Sequence, residues 1–239
     1  GMLADYPAKT IPCRLDSISL SAEDVVEIQL RTPPSSPLKY LPGQYIDVIG
    51  KEGLRRSYSI ANAPREDGKL TLHIRKVDAG AMSQYWFHEA KENDLLRLEG
   101  PLGSFCLRES VASNLILLAT GTGIAPIKAI LESLSISKAV NGYDKIFLYW
   151  GGRVVSDLYW HPRFHTLPFK FVPVLSREIP NQGFKGYVQG AVLDDGHDLS
   201  DSVVYACGSP AMIRTAQHDL IAAGLNKRNF YSDAFVSSS

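Results

Sequence analysis

The chain has 239 residues, comfortable for two domains of roughly 100 to 130 residues and too long for one small domain. Lys plus Arg equals Asp plus Glu at 25 each, so the net charge is zero and nothing in the total favours a nucleic-acid partner. No apolar run approaches the ~20 residues of a membrane span, so no membrane association is expected. Cys13, Cys106 and Cys207 are odd in number and widely spaced, which argues against a disulfide framework and fits a reducing, cytoplasmic setting.

The first half reads as short strands broken by turns. Strand-like stretches cover 13–20, 25–31, 44–49, 56–60, 70–76 and 94–100, with Pro33, Pro34 and Pro37 breaking the chain between the second and third. One helix interrupts them at 82–90. This spacing suggests an antiparallel barrel or sandwich. The rhythm changes beyond Glu109. Strands at 114–120, 145–150, 169–176 and 203–207 alternate with glycine turns and helices. One helix puts Ile124, Ile127, Ile130, Leu131 and Leu134 on one face; another covers 210–223. Strand, glycine turn and helix in repetition is the pattern of a doubly wound parallel sheet. The domains are expected at 9–109 and 110–239.

Four segments carry chemistry. In RRSYSIAN (55–62), alternation puts Arg56 and Tyr58 on one strand face and Ser57 and Ser59 on the other. Arg can hold a phosphate, Tyr can pack on a flat heteroaromatic ring, and Ser can hydrogen-bond one of its nitrogens. The alternative is an ordinary edge strand. In LILLATGTGIAP (115–126), Gly121 and Gly123 leave backbone N–H groups open to a diphosphate at a helix start. Pro126 stands where the usual dinucleotide fingerprint has its third small residue. Cys207, closing a strand before Gly208, sits where such sheets bind ligands, and reads equally as a small buried hydrophobe. Gly80, Ala81, Met82 and Ser83 offer a second helix start for phosphate.

RRSYSIAN, GAMS, GPLGSF, ATGTGIAP, YWGGR and ACGSPAM follow in this order from about Ile11 to Phe235, and the chain resembles the ferredoxin–NADP reductase family. The resemblance implies a six-stranded antiparallel β-barrel for FAD followed by an α/β domain for NADH or NADPH. It implies that Arg56 binds the FAD diphosphate, that Tyr58 packs on the flavin with Ser57 beside it, and that Ser59 approaches the reactive flavin nitrogen. It places His73, Ile74 and Arg75 along the ribityl chain and Gly80, Ala81, Met82 and Ser83 at the diphosphate. Gly121, Thr122 and Gly123 would take the nicotinamide dinucleotide, with Cys207 and Gly208 against the nicotinamide. Ser59 and Cys207 are therefore the candidate catalytic residues. Asp233 and Phe235 resemble the family's C-terminal segment beside the flavin. Ser176, Arg177, Lys185 and Tyr187 resemble its grip on a 2′-phosphate, although NADH-using relatives also carry Ser-Arg, so both coenzymes stay open.

Within the family, IPCRLDSISL (11–20), LKYLPGQYIDVIG (38–50) and RLEGPLGSFCLR (97–108) are similar to reductases of bacterial 3,6-dideoxyhexose synthesis, which carry a ferredoxin domain ahead of the barrel. The sequence has no C-x4-C-x2-C cluster for a [2Fe–2S] centre, and its Gly1-Met2 start is compatible with a trimmed form or with a protein that never had that domain. The acceptor is accordingly an iron–sulfur domain or protein, or free flavin. The alternatives are a stand-alone NAD(P)H:flavin reductase and a non-catalytic FAD- or nucleotide-binding electron-transfer subunit. Phosphoryl transfer is disfavoured because Gly-Lys-Ser/Thr does not follow Gly123. A metal site is not expected: Pro162 lies between His161 and His165, and there is no H-E-x-x-H.

Overall fold

The computed structural model describes residues 6–137 and 142–235. It divides into two compact units. One holds the described residues up to Arg108 together with Lys128–Ser133; the other holds Glu109–Ile127 and the described residues from Leu134 onward.

The first unit is an antiparallel sheet of six strands: β1 (Lys9–Ala22), β2 (Val25–Arg31), β3 (Tyr45–Ile49), β4 (Arg55–Ser59), β5 (Lys69–Arg75) and β6 (Leu95–Leu102). Their order is β4-β3-β6-β1-β2-β5, and an antiparallel bridge from Ile60 to Leu72 joins the two outer strands into a barrel. Alternation selects the core. Ile11, Cys13 and Leu15 of β1, Val26, Ile28 and Leu30 of β2, and Leu96 and Leu98 of β6 all point inward. The strand expected from 13 begins earlier, at Lys9, because residues 9–14 pair with β6. The helix expected at 82–90 is a short α1 (Ala81–Gln84) running into a π turn, Tyr85–Glu89, which turns Trp86 into the barrel core.

Strand β5 is covered on both faces. Leu70, Leu72 and Ile74 fill the barrel, and Thr71 and His73 are buried on the other side. Burial pushes the His73 imidazole down to about 3. The unfolded chain therefore binds a proton below its ordinary pKa of ~6.5 that the folded chain refuses, so stability is lost as pH drops through that window and regained as pH rises. His73→Gln is expected to flatten the pH dependence of the urea midpoint between pH 6.5 and about 4, where the native His73 contributes a limiting slope of ~1.4 kcal/mol per pH unit. An unchanged slope in the variant would refute that assignment.

The second unit is a parallel sheet: β7 (Asn114–Thr120), β8 (Lys145–Gly152), β9 (Phe169–Leu175), β10 (Phe184–Lys185), β11 (Ser202–Gly208) and β12 (Phe230–Ala234). Its order is β10-β9-β8-β7-β11-β12. Leu115 to Ala119 of β7 are all 0% exposed, as a central parallel strand requires. Helices α3 (Val188–Asp194) and α4 (Pro210–Ala222) belong to this unit, whereas α2 (Ile124–Ile136) gives it only its two ends, its middle, Lys128–Ser133, falling in the first unit. α3 and α4 bury Val188, Val192, Ile213 and Leu220 against Ile116, Leu118 and Val204. β10, α3 and β12 were not foreseen, since each is short and owes its form to neighbours. β12 exists because residues 230–234 pair in parallel with β11, Asp233 opposite Cys207.

At the foot of this unit the Tyr149 hydroxyl donates to Asp195, and His197 Nε2 lies 2.6 Å from it. This polar cluster ties the end of α3 to the middle of β8.

Candidate functional site

On β4, Ile46 pairs with Tyr58 and Val48 with Arg56, which sets the two side chains on one face as expected. Arg55 binds Asp47 at 3.1 Å and Glu99 at 2.6 Å, so it occupies the carboxylates of this rim. Arg56 donates to the Arg55 carbonyl at 2.7 Å. Ser57 is exposed and donates to Asp47 at 2.5 Å, a commitment alternation alone did not reveal. Ser59 is 8% exposed. Its hydroxyl hydrogen-bonds no described residue.

Tyr58 accepts from Trp86 Nε1 at 3.1 Å. Burial pushes its phenol up to about 12, with the Trp86 hydrogen bond and the Arg56 charge pulling the other way, so it stays protonated. Its O–H finds no acceptor among the described residues. An O–H without an acceptor and a nearby guanidinium fit a ligand rich in acceptor oxygens, as FAD is.

The other residues of this unit separate by environment. Ile74 lies in the barrel core at 1% exposure, His73 is buried outside it, and Arg75 is exposed and paired with Asp24 at 3.2 Å. Gly80 precedes α1; a side chain there would press on the Val77 carbonyl at 3.2 Å. Ser83 accepts from Val77 N–H at 2.8 Å, which leaves its own proton to donate. Ala81 is exposed, and Met82 fills the core.

In the second unit the two glycine motifs meet. β7 leads outward to β8, β9 and β10, and the chain returns to β11 on the other side of β7. The sheet thus switches direction between β7 and β11, the place where open α/β sheets bind ligands beyond the strands' carboxyl ends. Gly121, Thr122 and Gly123 form a 3-10 turn at the end of β7. A Cβ on Gly123 would lie 2.3 Å from the Cys207 carbonyl, and one on Gly208 would lie 2.0 Å from Thr120 Oγ1. Ser209 N–H donates to that same hydroxyl at 3.1 Å. Gly121, at φ +55, would meet nothing within 4 Å, so the turn presents an open backbone face. That cradle fits a diphosphate.

Cys207 is fully buried, and burial, followed by the Asp233 charge, raises its thiol well above the ordinary range. It is a neutral, compact wall and not a thiolate nucleophile. Burial raises the Asp233 carboxyl in turn. Phe235 N–H donates to the Gly208 carbonyl at 2.7 Å, fastening the segment after β12 to the same strand end.

At the outer end of the sheet, Phe184 pairs with Val174 and Lys185 with Leu175. That pairing sets Lys185 against Leu175, the residue that Ser176 and Arg177 follow, and Tyr187 further along is exposed. Two acids missed from the sequence shape this rim. Glu178 accepts from Val155 N–H at 2.5 Å, and Asp157 accepts from Arg153 N–H at 2.8 Å and pairs with its guanidinium. Asp157 closely follows the glycine-rich end of β8 and Glu178 stands just beyond β9, so only the fold puts them together.

Residues 12–106 match the model of an oxidoreductase FAD-binding domain, and residues 117–218 that of an oxidoreductase NAD-binding domain. The chain is 45% identical over 246 aligned residues to the CDP-6-deoxy-L-threo-D-glycero-4-hexulose-3-dehydrase reductase of Yersinia pestis, covering 99% of this chain and 72% of that protein. It is 34% identical to terephthalate 1,2-dioxygenase reductase component 1 of a Comamonas species, covering 96% of this chain and 69% of that one. The crystal structure of an Amycolatopsis cytochrome P450 reductase superposes with a TM-score of 0.88 at 28% identity, covering 99% of this chain and 73% of that one. No helix among the described residues is long and apolar enough to cross a membrane.

Proposed function

The chain belongs to the ferredoxin–NADP reductase family, an oxidoreductase that binds FAD and NAD(P), and on that footing we propose that it is the reductase of a CDP-6-deoxyhexose dehydrase system in 3,6-dideoxyhexose synthesis. The observation that carries this reading is the 45% identity to the Yersinia reductase across 99% of the chain. Bound FAD supplies the redox chemistry: it takes two electrons from NADH or NADPH and releases them onward. Arg56, Tyr58, Ser59 and the Gly80–Ser83 stretch hold and orient the FAD. Gly121, Thr122 and Gly123 receive the coenzyme's diphosphate, and Ser176, Arg177, Lys185 and Tyr187 line its adenosine end. Cys207 and Gly208 pack against the nicotinamide. Asp233 supports Cys207 from the neighbouring strand. With only three cysteines, all free, the 239 residues cannot supply an iron–sulfur centre of their own. The acceptor in this reading is therefore an iron–sulfur domain or protein, in a cytoplasmic setting.

The test is anaerobic mixing with NADH and then NADPH, followed by addition of an iron–sulfur acceptor and the sugar dehydrase. Flavin absorbance that bleaches, and then recovers only when acceptor, dehydrase and CDP-sugar are all present, supports the proposal. Recovery with an aromatic-ring dioxygenase instead would move the protein to the oxygenase reductases, the other reading that the Comamonas likeness favours.

Cys207→Ala is expected to slow bleaching at saturating NAD(P)H by about tenfold while leaving FAD content unchanged, because it opens a gap in the wall that positions the reacting ring. Stopped-flow absorbance measures this. A rate equal to wild type would remove Cys207 from that role.

A further inference from the structure

Trp86 is 1% exposed, among the largest buried side chains of the barrel core. Its polar atom has one purpose: the indole N–H donates to the Tyr58 hydroxyl at 3.1 Å. The rings meet edge to face, with centroids 6.2 Å apart and planes at 80°. Tyr85 braces Trp86 from another side, 4.9 Å between centroids, and its own hydroxyl donates to Asp94 at 2.7 Å. The Asp94 carbonyl in turn accepts from Leu15 N–H of β1 at 2.9 Å. The π turn bearing both aromatics is therefore fastened to the barrel at each end of the pair.

An indole N–H only donates, so the Tyr58 oxygen accepts there. A phenol has a single proton and prefers it in the ring plane. With Trp86 against one side of the oxygen, that proton leaves on the other. No described residue receives it. The same strand face carries Arg56, whose charge acts on the Tyr58 phenol.

We propose that Trp86 is a positioning residue for the cofactor: its N–H fixes the Tyr58 ring and turns the Tyr58 O–H toward an acceptor oxygen of the ribityl–diphosphate chain of bound FAD. This rests on the reading of the chain as an FAD reductase. It assigns Trp86 a task its burial alone does not explain, since a phenylalanine would fill the core without holding the phenol.

The experiment compares Trp86→Phe, Tyr58→Phe and the double variant. Apoprotein is titrated with FAD, and the fluorescence of the bound flavin is recorded as a measure of ring packing. Each single variant is expected to weaken FAD binding roughly tenfold, the loss of one hydrogen bond to a charged or strongly polar group. The double variant is expected to be no weaker than the weaker single one, and Trp86→Phe to brighten the bound flavin. Additive losses, or unchanged affinity and fluorescence in Trp86→Phe, overturn the proposal. Wild-type affinity in Tyr58→Phe overturns it too, even where Trp86→Phe does not fold. A wild-type chain that takes up no FAD fails the reductase reading itself; one that binds FAD while its variants are uncoupled fails this inference alone.

Discussion

Arg56→Ala is expected to purify without flavin and to bind added FAD about a hundredfold more weakly than the wild-type chain, on the scale of a lost charge-assisted contact to phosphate. The neighbouring cation cannot stand in for it, because Arg55 is engaged by Asp47 and Glu99. Nor should the fold suffer: Arg56 is not part of the barrel core, and the register of β4 on β3 is set by backbone pairing and by buried Ile46 and Val48. Arg56→Lys is expected to recover only part of the affinity, since an ammonium lacks the planar fork. The ratio of flavin to protein absorbance, with fluorescence titration of the apoprotein, measures both. An Arg56→Ala protein carrying full flavin would remove this residue from the FAD site.

Gly123→Ala is expected to abolish the response to NAD(P)H and to lower stability by about 1–3 kcal/mol, the scale of overpacking in a close-packed region. The added methyl would stand 2.3 Å from the Cys207 carbonyl oxygen and 2.6 Å from its carbon, both backbone atoms that cannot rotate aside. Relief requires the end of β11 to move away from the turn after β7, which would spoil both halves of the coenzyme cradle together. Gly121→Ala is the contrasting case. Its methyl meets nothing within 4 Å, and the strain is confined to φ +55. That costs about 1–2 kcal/mol of backbone energy without a collision. Thermal unfolding and anaerobic NADH titration of the two variants separate the mechanisms. Equal stability losses with retained bleaching in both would refute the packing argument for Gly123. FAD content is expected to survive in each, as the barrel is a separate unit.

The two-part architecture was legible in the residues because hydrophobic period is local. Alternation at Ile11, Cys13 and Leu15 announces a half-buried strand, and the unbroken run Leu115–Ala119 a doubly buried one. Glycines at 121, 123 and 208 were equally readable as places where a side chain is unwelcome. What they avoid was not readable. Gly123 yields to the Cys207 carbonyl and Gly208 to the Thr120 hydroxyl, partners more than eighty residues distant, which meet only because β7 and β11 lie side by side in the sheet.

The same reason explains what went unseen. β10 is two residues long and β12 five, and neither has a pattern strong enough to declare itself; each is a strand because an existing edge offers hydrogen bonds. Ser57 reads as a candidate cofactor contact, and only the fold shows that its hydroxyl proton goes to Asp47. Trp86 reads as an ordinary apolar residue of a helix until the π turn brings its N–H to Tyr58. Sequence alone determined which backbone positions must stay bare and which side chains carry charge or rings. Tertiary structure decided which of those groups spend their hydrogen bonds on the protein and which keep one for a ligand, because a donor's partner is set by distance in space and not by spacing along the chain.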